Sequence, residues 1–291
     1  MLHLTNGDSA ASVIRLTGVI GEVLPWRDIL HEGPVPAGLT LEGMTDVRAR
    51  YLASVGAGPF PAIFASMAAR NAALRAARNA VLWFEHDLYD QLQLLEILAT
   101  LATQRETHTE LICINAFPGV EPFHGLGQLT PPQLATLWSQ RRPVTRPQLA
   151  VATHAWHAFT SADPTALPKF LATDTTALPF LRDALQRLLE EYPTSPTGLS
   201  RTERQLLQAV ARGHRSFADV FAASQAAEPA PFMGDSVIEA RLEAMVNART
   251  PLLTPEPYAL TAAGERVLAG EADARQLNGI NRWIGGVHLV G

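Results

Sequence analysis

Glu85, His86 and Asp87 stand side by side, with Asp90 and Gln91 close behind. Carboxylates and imidazole are the side chains that move protons near neutral pH and that ligate divalent cations. On an extended chain adjacent residues face opposite ways, so Glu85 and Asp87 share a face and His86 points away. No histidine pair at ligand spacing accompanies them. A metal site would therefore draw ligands from several loops; a divalent cation stays open as a cofactor, and the metal ligands stay unassigned.

Two further segments are polar in the same way. Asn6-Gly7-Asp8-Ser9 puts a carboxylate and a flexible glycine at a turn. Trp26-Arg27-Asp28 is followed by His31-Glu32 and the turn residues Gly33-Pro34. Asp8, Asp28, His86 and Asp87 are the candidates for acid–base chemistry or metal binding. Asn6, Gly7, Ser9, Arg27, His31, Glu32, Glu85, Asp90 and Gln91 are the candidates for holding a ligand, with Arg27 and backbone amides near Gly7 receiving an anion. Plainer roles compete with each. Asp8 or Ser9 can cap a helix, Asp90 suits a helix start, and His31-Glu32 suits a solvated loop. Arg48, Arg50, Arg70, Arg75 and Arg78 fit either a clamp on an anionic substrate or a solvated helix face. Cys113, inside Leu111-Ile112-Cys113-Ile114, reads as a buried small hydrophobe.

The elements that must position these groups follow from hydropathy. Leu2 to Thr5 and Val19 to Trp26 read as strands, and Ala80 to Phe84 is the clearest buried one. Glu110 to Asn115 is the next. Helices are expected over 10–16, 45–55, 62–78 and 91–103, the last with Leu94, Leu95, Leu98 and Leu101 on one side. Alternating strands and helices predict an α/β domain with a mainly parallel sheet, whose ligand crevice lies beyond the carboxyl ends of the strands. All three polar segments fall there.

After Gly125 the pattern turns helical. Thr130-Pro131-Pro132-Gln133 has the form of a helix start, and Pro147 to Phe159 reads as a helix. Leu178, Leu181, Leu185, Leu188, Leu189 and Tyr192 have the spacing of an amphipathic helix. Pro193-Thr194-Ser195-Pro196-Thr197-Gly198 reads as a linker. Ser200-Arg201-Thr202-Glu203 is a capping box, Ser216 a second cap, and Asp235 or Ser236 a third. A Pro-rich turn between Leu253 and Tyr258 and a helix from Thr261 complete a winged-helix-like pattern. The expected organisation is an α/β domain over 1–125, a helical region over 126–195 and a winged-helix-like domain over 196–291. The apolar closing segment, with Trp283, Ile284, Val287 and Leu289, should pack back onto the protein.

Charge narrows the partners. Residues 1–125 carry eight Arg against thirteen acidic residues, and residues 196–291 carry nine Arg against ten. Neither has the basic excess of a phosphate-backbone binder, which argues against DNA. No apolar run approaches the roughly 20 residues that span a bilayer, no secretory n-region opens the chain, and a single cysteine excludes an internal disulfide. These features lead to the expectation of a soluble cytoplasmic protein, of unassigned oligomeric state, with no membrane partner.

The segments Leu4 to Ala10, Trp26 to Val35 and Trp83 to Leu92 resemble the bacterial family called domain of unknown function 1835, and Gly279 to His288 is similar to the ends of its long members. The resemblance implies positions, those of the three strand-end loops, and no reaction. The leading expectation is an enzyme or binding domain for a small anionic molecule such as a nucleotide or phosphate ester, acting by hydrolysis or group transfer. No Rossmann or P-loop glycine pattern is present. The alternatives are a DNA-binding regulator with a ligand-sensing N-terminal domain, or a protein-interaction module.

Overall fold

The structure, a computed structural model, describes residues 1–104 and 107–291. It divides into two compact units: Met1–Leu185 with Trp283–His288, and Gln186–Arg282 with Leu289–Gly291.

The first unit is built on a five-stranded sheet. Its strands are β1 (Leu2–Thr5), β2 (Glu22–Pro25), β3 (Asn79–Glu85), β4 (His108–Ile114) and β5 (Arg142–Pro143), in the order β2-β1-β3-β4-β5. The first four pair in parallel; β5 runs antiparallel against β4. This is the mainly parallel α/β sheet that the alternation of elements requires. Only β5 lies outside the sequence pattern, because two residues, one of them proline, show no period. Edge position is where a proline in a sheet is tolerated.

The helices of this unit are α1 (Asp8–Leu16), α2 (Leu41–Ser54), α3 (Phe60–Ala76), α4 (Leu88–Ala102), α5 (Pro131–Thr136), α6 (Arg146–Thr160) and α7 (Ala166–Leu171); α8 (Leu181–Leu189) straddles the division. Alternation along the strands feeds two cores. Val81, Trp83 and Ile112 pack with Ala10 and Ile14 of α1 and with Leu126, Leu129, Leu134 and Leu137. Leu82 and Phe84 alternate with Val81 and Trp83 along β3, Leu4 pairs with Leu82 from β1, and all three are fully buried; α4 packs on β3, and α6 on α4. Leu92, Leu94, Leu95, Ile97 and Leu98 of α4 are all buried, so this helix is an interior one.

Two of the helix starts that differ from expectation bear on the site. Gly7, and neither Asp8 nor Ser9, is the N-cap of α1, and no side chain caps it. Asp87 caps α4 by accepting the Asp90 N–H (3.0 Å), which frees the Asp90 carboxylate for another role. The capping boxes of Thr130 with Gln133 and Ser200 with Glu203 form as their spacing requires.

The tip of a hairpin, β6 (Asn281–Ile284) with β7 (Val287–Val290), belongs to the first unit. Gly285, at φ +58°, accepts the Val35 N–H (2.9 Å), and the Gly286 N–H reaches the Phe159 carbonyl (2.9 Å). A Cβ on either glycine would strike the backbone at Phe159 or Thr160, so only glycine fits.

The second unit contains α9 (Arg201–Ala211), α10 (Phe217–Ala226), α11 (Asp235–Val246), α12 (Ala262–Leu268) and α13 (Ala274–Asn278). Ser200 and Ser216 cap α9 and α10, whereas α11 starts on Gly234. Leu253 and Leu260 form an antiparallel bridge between α11 and α12. Among the described residues no helix is long and apolar enough to cross a membrane.

Candidate functional site

From β1 the chain crosses to β2 on one side, then returns to β3 on the other. The switch of direction therefore lies between β1 and β3, and beyond their carboxyl ends is the crevice that open α/β sheets use for ligands. Asn6 follows β1, and Glu85 ends β3.

The side chains of Glu85, Asp87 and Asp90 converge at this point. All three are buried, and one carboxylate oxygen from each lies within 4.8 Å of the others. Amides fix their orientation. Asn6 Nδ2 donates to Asp90 Oδ2 (2.7 Å) and more distantly to Glu85 Oε1 (3.4 Å). The Glu85 N–H donates to Asp90 Oδ1 (2.8 Å), and the Leu126 N–H to Glu85 Oε1 (2.5 Å). Gln91 Nε2 holds the Glu85 carbonyl (2.6 Å). Gly125, at φ +145°, lies so close over the Glu85 carboxylate that a Cβ there would collide with it.

Electrostatics set these groups apart. Among the described residues no arginine, lysine or histidine forms an ion pair with any of the three. Burial, and then the Asp87 charge, push Glu85 up to about 8. Burial raises Asp87 to about 7 against the pull of its backbone hydrogen bonds. Asp90 is pushed well above the usual carboxylate range by burial and then by Glu85 and Asp87. Carboxyl groups held near neutrality can donate and accept protons at physiological pH. As carboxylates, the same three are hard oxygen ligands of the kind that Mg²⁺, Mn²⁺ and Ca²⁺ take.

Other candidates take up positions around this centre. Asp8 and Arg27 form an exposed ion pair (2.6 Å), and the Arg27 guanidinium holds the Asp8 carboxyl below its ordinary value. Among the described residues Arg27 is the non-glycine residue with positive φ (+49°), a conformation in which strain and function tend to coincide. Ser9 is exposed beside Gly127. His31 is buried, edge-on to Tyr89, whose hydroxyl reaches toward the Asn6 carbonyl (3.5 Å). His86 turns away from the three carboxylates against Phe180, and burial lowers its pKa.

Asp28 lies in the interior. Its carboxylate is 0% exposed and is gripped by Arg48 through Nη2 (2.7 Å) and Nε (3.0 Å). Arg48 also donates to the Ile29, Glu32 and Pro34 carbonyls, so one guanidinium pins the whole loop after β2. Glu32 contributes its backbone to that grip. Arg70 stands 3.9 Å from Asp28 and 3.7 Å from Glu96, and Trp26 Nε1 donates to Glu96 (2.6 Å).

Arg48 and Arg70 are thus buried, whereas Arg50 pairs with Asp46 and Arg75 with Glu42 on the surface. Arg48 was detectable: with Thr45, Ala49 and Leu52 it completes a buried i, i+3, i+4, i+7 stripe whose polar members hide it from a hydropathy count. Tyr89 and Glu96 carried no signal beyond their place on a helix. Cys113 is half-buried, and its Sγ sits 3.4 Å from Gln91 Nε2, at the back of the acidic group.

A concavity of about 590 Å³ in the same unit, reached by Met44, Thr100, Trp156 and His157, contains none of the three converging carboxylates. The chemistry therefore points to the strand ends. Comparison with known proteins finds no family model that matches the chain and no curated protein that matches it.

Proposed function

We propose that the first unit binds a small anionic molecule, a nucleotide or another phosphate ester, in the crevice between the loops after β1 and β3, and acts on it by hydrolysis or group transfer. The observation that carries this reading is the convergence of Glu85, Asp87 and Asp90 at the switch point with no cationic partner among the described residues. Three buried carboxylates persist in one place only by sharing protons or by holding a cation. Either state supports chemistry on a phosphate ester. Protonated, Glu85 or Asp87 is a general acid, and deprotonated a general base. A divalent cation held by the three would draw phosphoryl oxygens toward it and stabilise charge on them. The start of α1, without a side-chain cap, leaves backbone N–H groups for the anion, and Arg27 stands at the rim.

The segments that resemble the family called domain of unknown function 1835 include these loops, and we propose membership of it. The test is turnover of p-nitrophenyl phosphate and of a panel of nucleotides, with and without Mn²⁺, by the wild type and by Asp87→Asn and Asp90→Asn. Turnover or binding abolished in both variants supports the reading. Substrates that neither bind nor turn over under any condition sink it.

A second reading concerns the other unit. Its helices α9 to α11, the bridge at Leu253 and Leu260 and then α12 follow a winged-helix-like order. Charge favours a protein partner over DNA: Glu239 and Glu243 offset Arg241 on α11, and residues 196–291 have no basic excess. Micromolar binding of mixed duplex DNA by the full chain, weakening steeply with salt, would reverse that preference.

A further inference from the structure

Arg48 and Arg70 are both withdrawn from water, and their guanidinium groups are served very differently. Arg48 spends Nε, Nη1 and Nη2 on the Asp28 carboxylate and three carbonyls. Arg70 is 4% exposed, yet among the described residues its one hydrogen bond is a long one from Nε to Asn71 Oδ1 (3.4 Å). Asp28 and Glu96 stand near Nη2 at 3.9 and 3.7 Å, beyond hydrogen-bond length, and Nη1 has no partner among the described residues. A buried guanidinium with unused N–H groups is costly, and its planar fork is suited to phosphate oxygens.

Its position gives those N–H groups a use. Ser66 lies one turn before Arg70 on α3 and is exposed; Arg27 Nη1 points at its hydroxyl (3.5 Å). Residues four apart on a helix are roughly 5–6 Å apart at Cβ. Arg27 thus reaches α3 one turn before the residue that carries the inner guanidinium. The Tyr89 hydroxyl leans on the Asn6 carbonyl beside the acidic group. The Arg70 guanidinium covers the Trp26 ring at 4.0 Å.

Building on the anionic-ligand reading above, we propose that Arg70 is the inner anion subsite of the crevice. Nη1 takes one oxygen of the ligand's phosphoryl group while Arg27 takes another. The ligand class is then a phosphate monoester or terminal phosphate. Charge neutrality is already met by Asp28 and Glu96, so the subsite contributes hydrogen-bond direction rather than net attraction.

The experiment titrates the full chain with inorganic phosphate, by calorimetry and by tryptophan emission, in the wild type and in Arg27→Gln, Arg70→Lys and Trp26→Phe. Circular dichroism and melting check that each variant folds. The expected result is phosphate affinity weakened about tenfold or more in Arg27→Gln and Arg70→Lys, with an emission change that disappears in Trp26→Phe. Lysine keeps the charge and loses the fork, so an undiminished affinity in Arg70→Lys means that solvent alone serves Nη1, and overturns the subsite. If Arg70→Lys does not fold, the emission change decides: its persistence in Trp26→Phe overturns the subsite. Phosphate binding lost in Arg27→Gln alone leaves the crevice reading intact while the inner subsite falls. No phosphate binding by the wild type overturns both.

Discussion

Asp28 and Asp90 are buried alike, at 0% exposure, and each comes from a loop or helix start just beyond the carboxyl end of a parallel strand. Asp28 meets Arg48, and the surrounding cluster sets two carboxylates, Asp28 and Glu96, against two guanidiniums, Arg48 and Arg70. Asp90 meets Glu85 and Asp87, and amide donors alone offset the repulsion. A balanced buried network holds a loop in shape. An unbalanced one pushes its own groups toward neutrality and favours any proton or cation that arrives. The same fold edge thus carries a compensated and an uncompensated group of buried carboxylates, separated by whether an arginine stands opposite.

That contrast breaks first at Arg48. Arg48→Met strands the Asp28 carboxylate and releases three carbonyls, so it should cost about 3–5 kcal/mol in urea denaturation. Glu85→Gln, which replaces a carboxyl already pushed toward its neutral form, should cost far less. Equal losses would erase the distinction. Next in size is the response to cations. Mn²⁺ at a hundred times its dissociation constant should stabilise the wild type by about 2.7 kcal/mol, read as a rise in melting temperature that Asp90→Asn abolishes. A shift that survives in Asp90→Asn would place the ion elsewhere.

The pH profile sharpens the comparison further. Glu85 and Asp87 hold protons in the folded chain up to about 8 and about 7, whereas their ordinary values are 4.5 and 3.8. The folded state thus binds more protons between those limits. Stability conferred by these protons is complete below the ordinary values and is lost as pH rises through the folded ones. The slope is at most about 1.4 kcal/mol per pH unit for each proton. Denaturation at a series of pH values should show the decline, and Glu85→Gln should flatten it. A profile that rises toward pH 8 in the wild type would contradict it. The smallest effect is expected at Trp26→Phe, which deletes the indole donor to Glu96 and should cost about 1–2 kcal/mol by the same measurement.

Much of the arrangement was legible before any coordinates. Burial runs marked β3 and α4, and the polar residues that follow strands marked the crevice; adjacent-residue geometry put Glu85 and Asp87 on one face and His86 off it. Partnership across the chain was not legible. Nothing near Asp28 in sequence announces Arg48, twenty residues on, and Arg48 and Arg50 look equivalent until α2 is docked and one faces the core. Glu85 owes its raised pKa to burial and then to the Asp87 charge, and the distant loop at Gly125 that lies over its carboxylate is not announced by the local sequence. Local pattern reports which element a residue rides on; charge balance depends on what the tertiary fold brings opposite it.

The tip at Gly285 and Gly286 bears on how the molecule is made. Its bonds to Val35 and Phe159 close loops of roughly 250 and 125 residues, the kind of distant pairing that slows folding. On a ribosome the sheet and its helices can assemble while α9 to α13 are still being made, but the notch between Val35 and Phe159 stays open until residues 283–288 emerge. A nascent chain stalled between α9 and α13 therefore displays a first unit with its seam unsealed, without Ile284 and Val287, which are buried in the finished fold. Such a species is one that chaperones would hold and proteases would find.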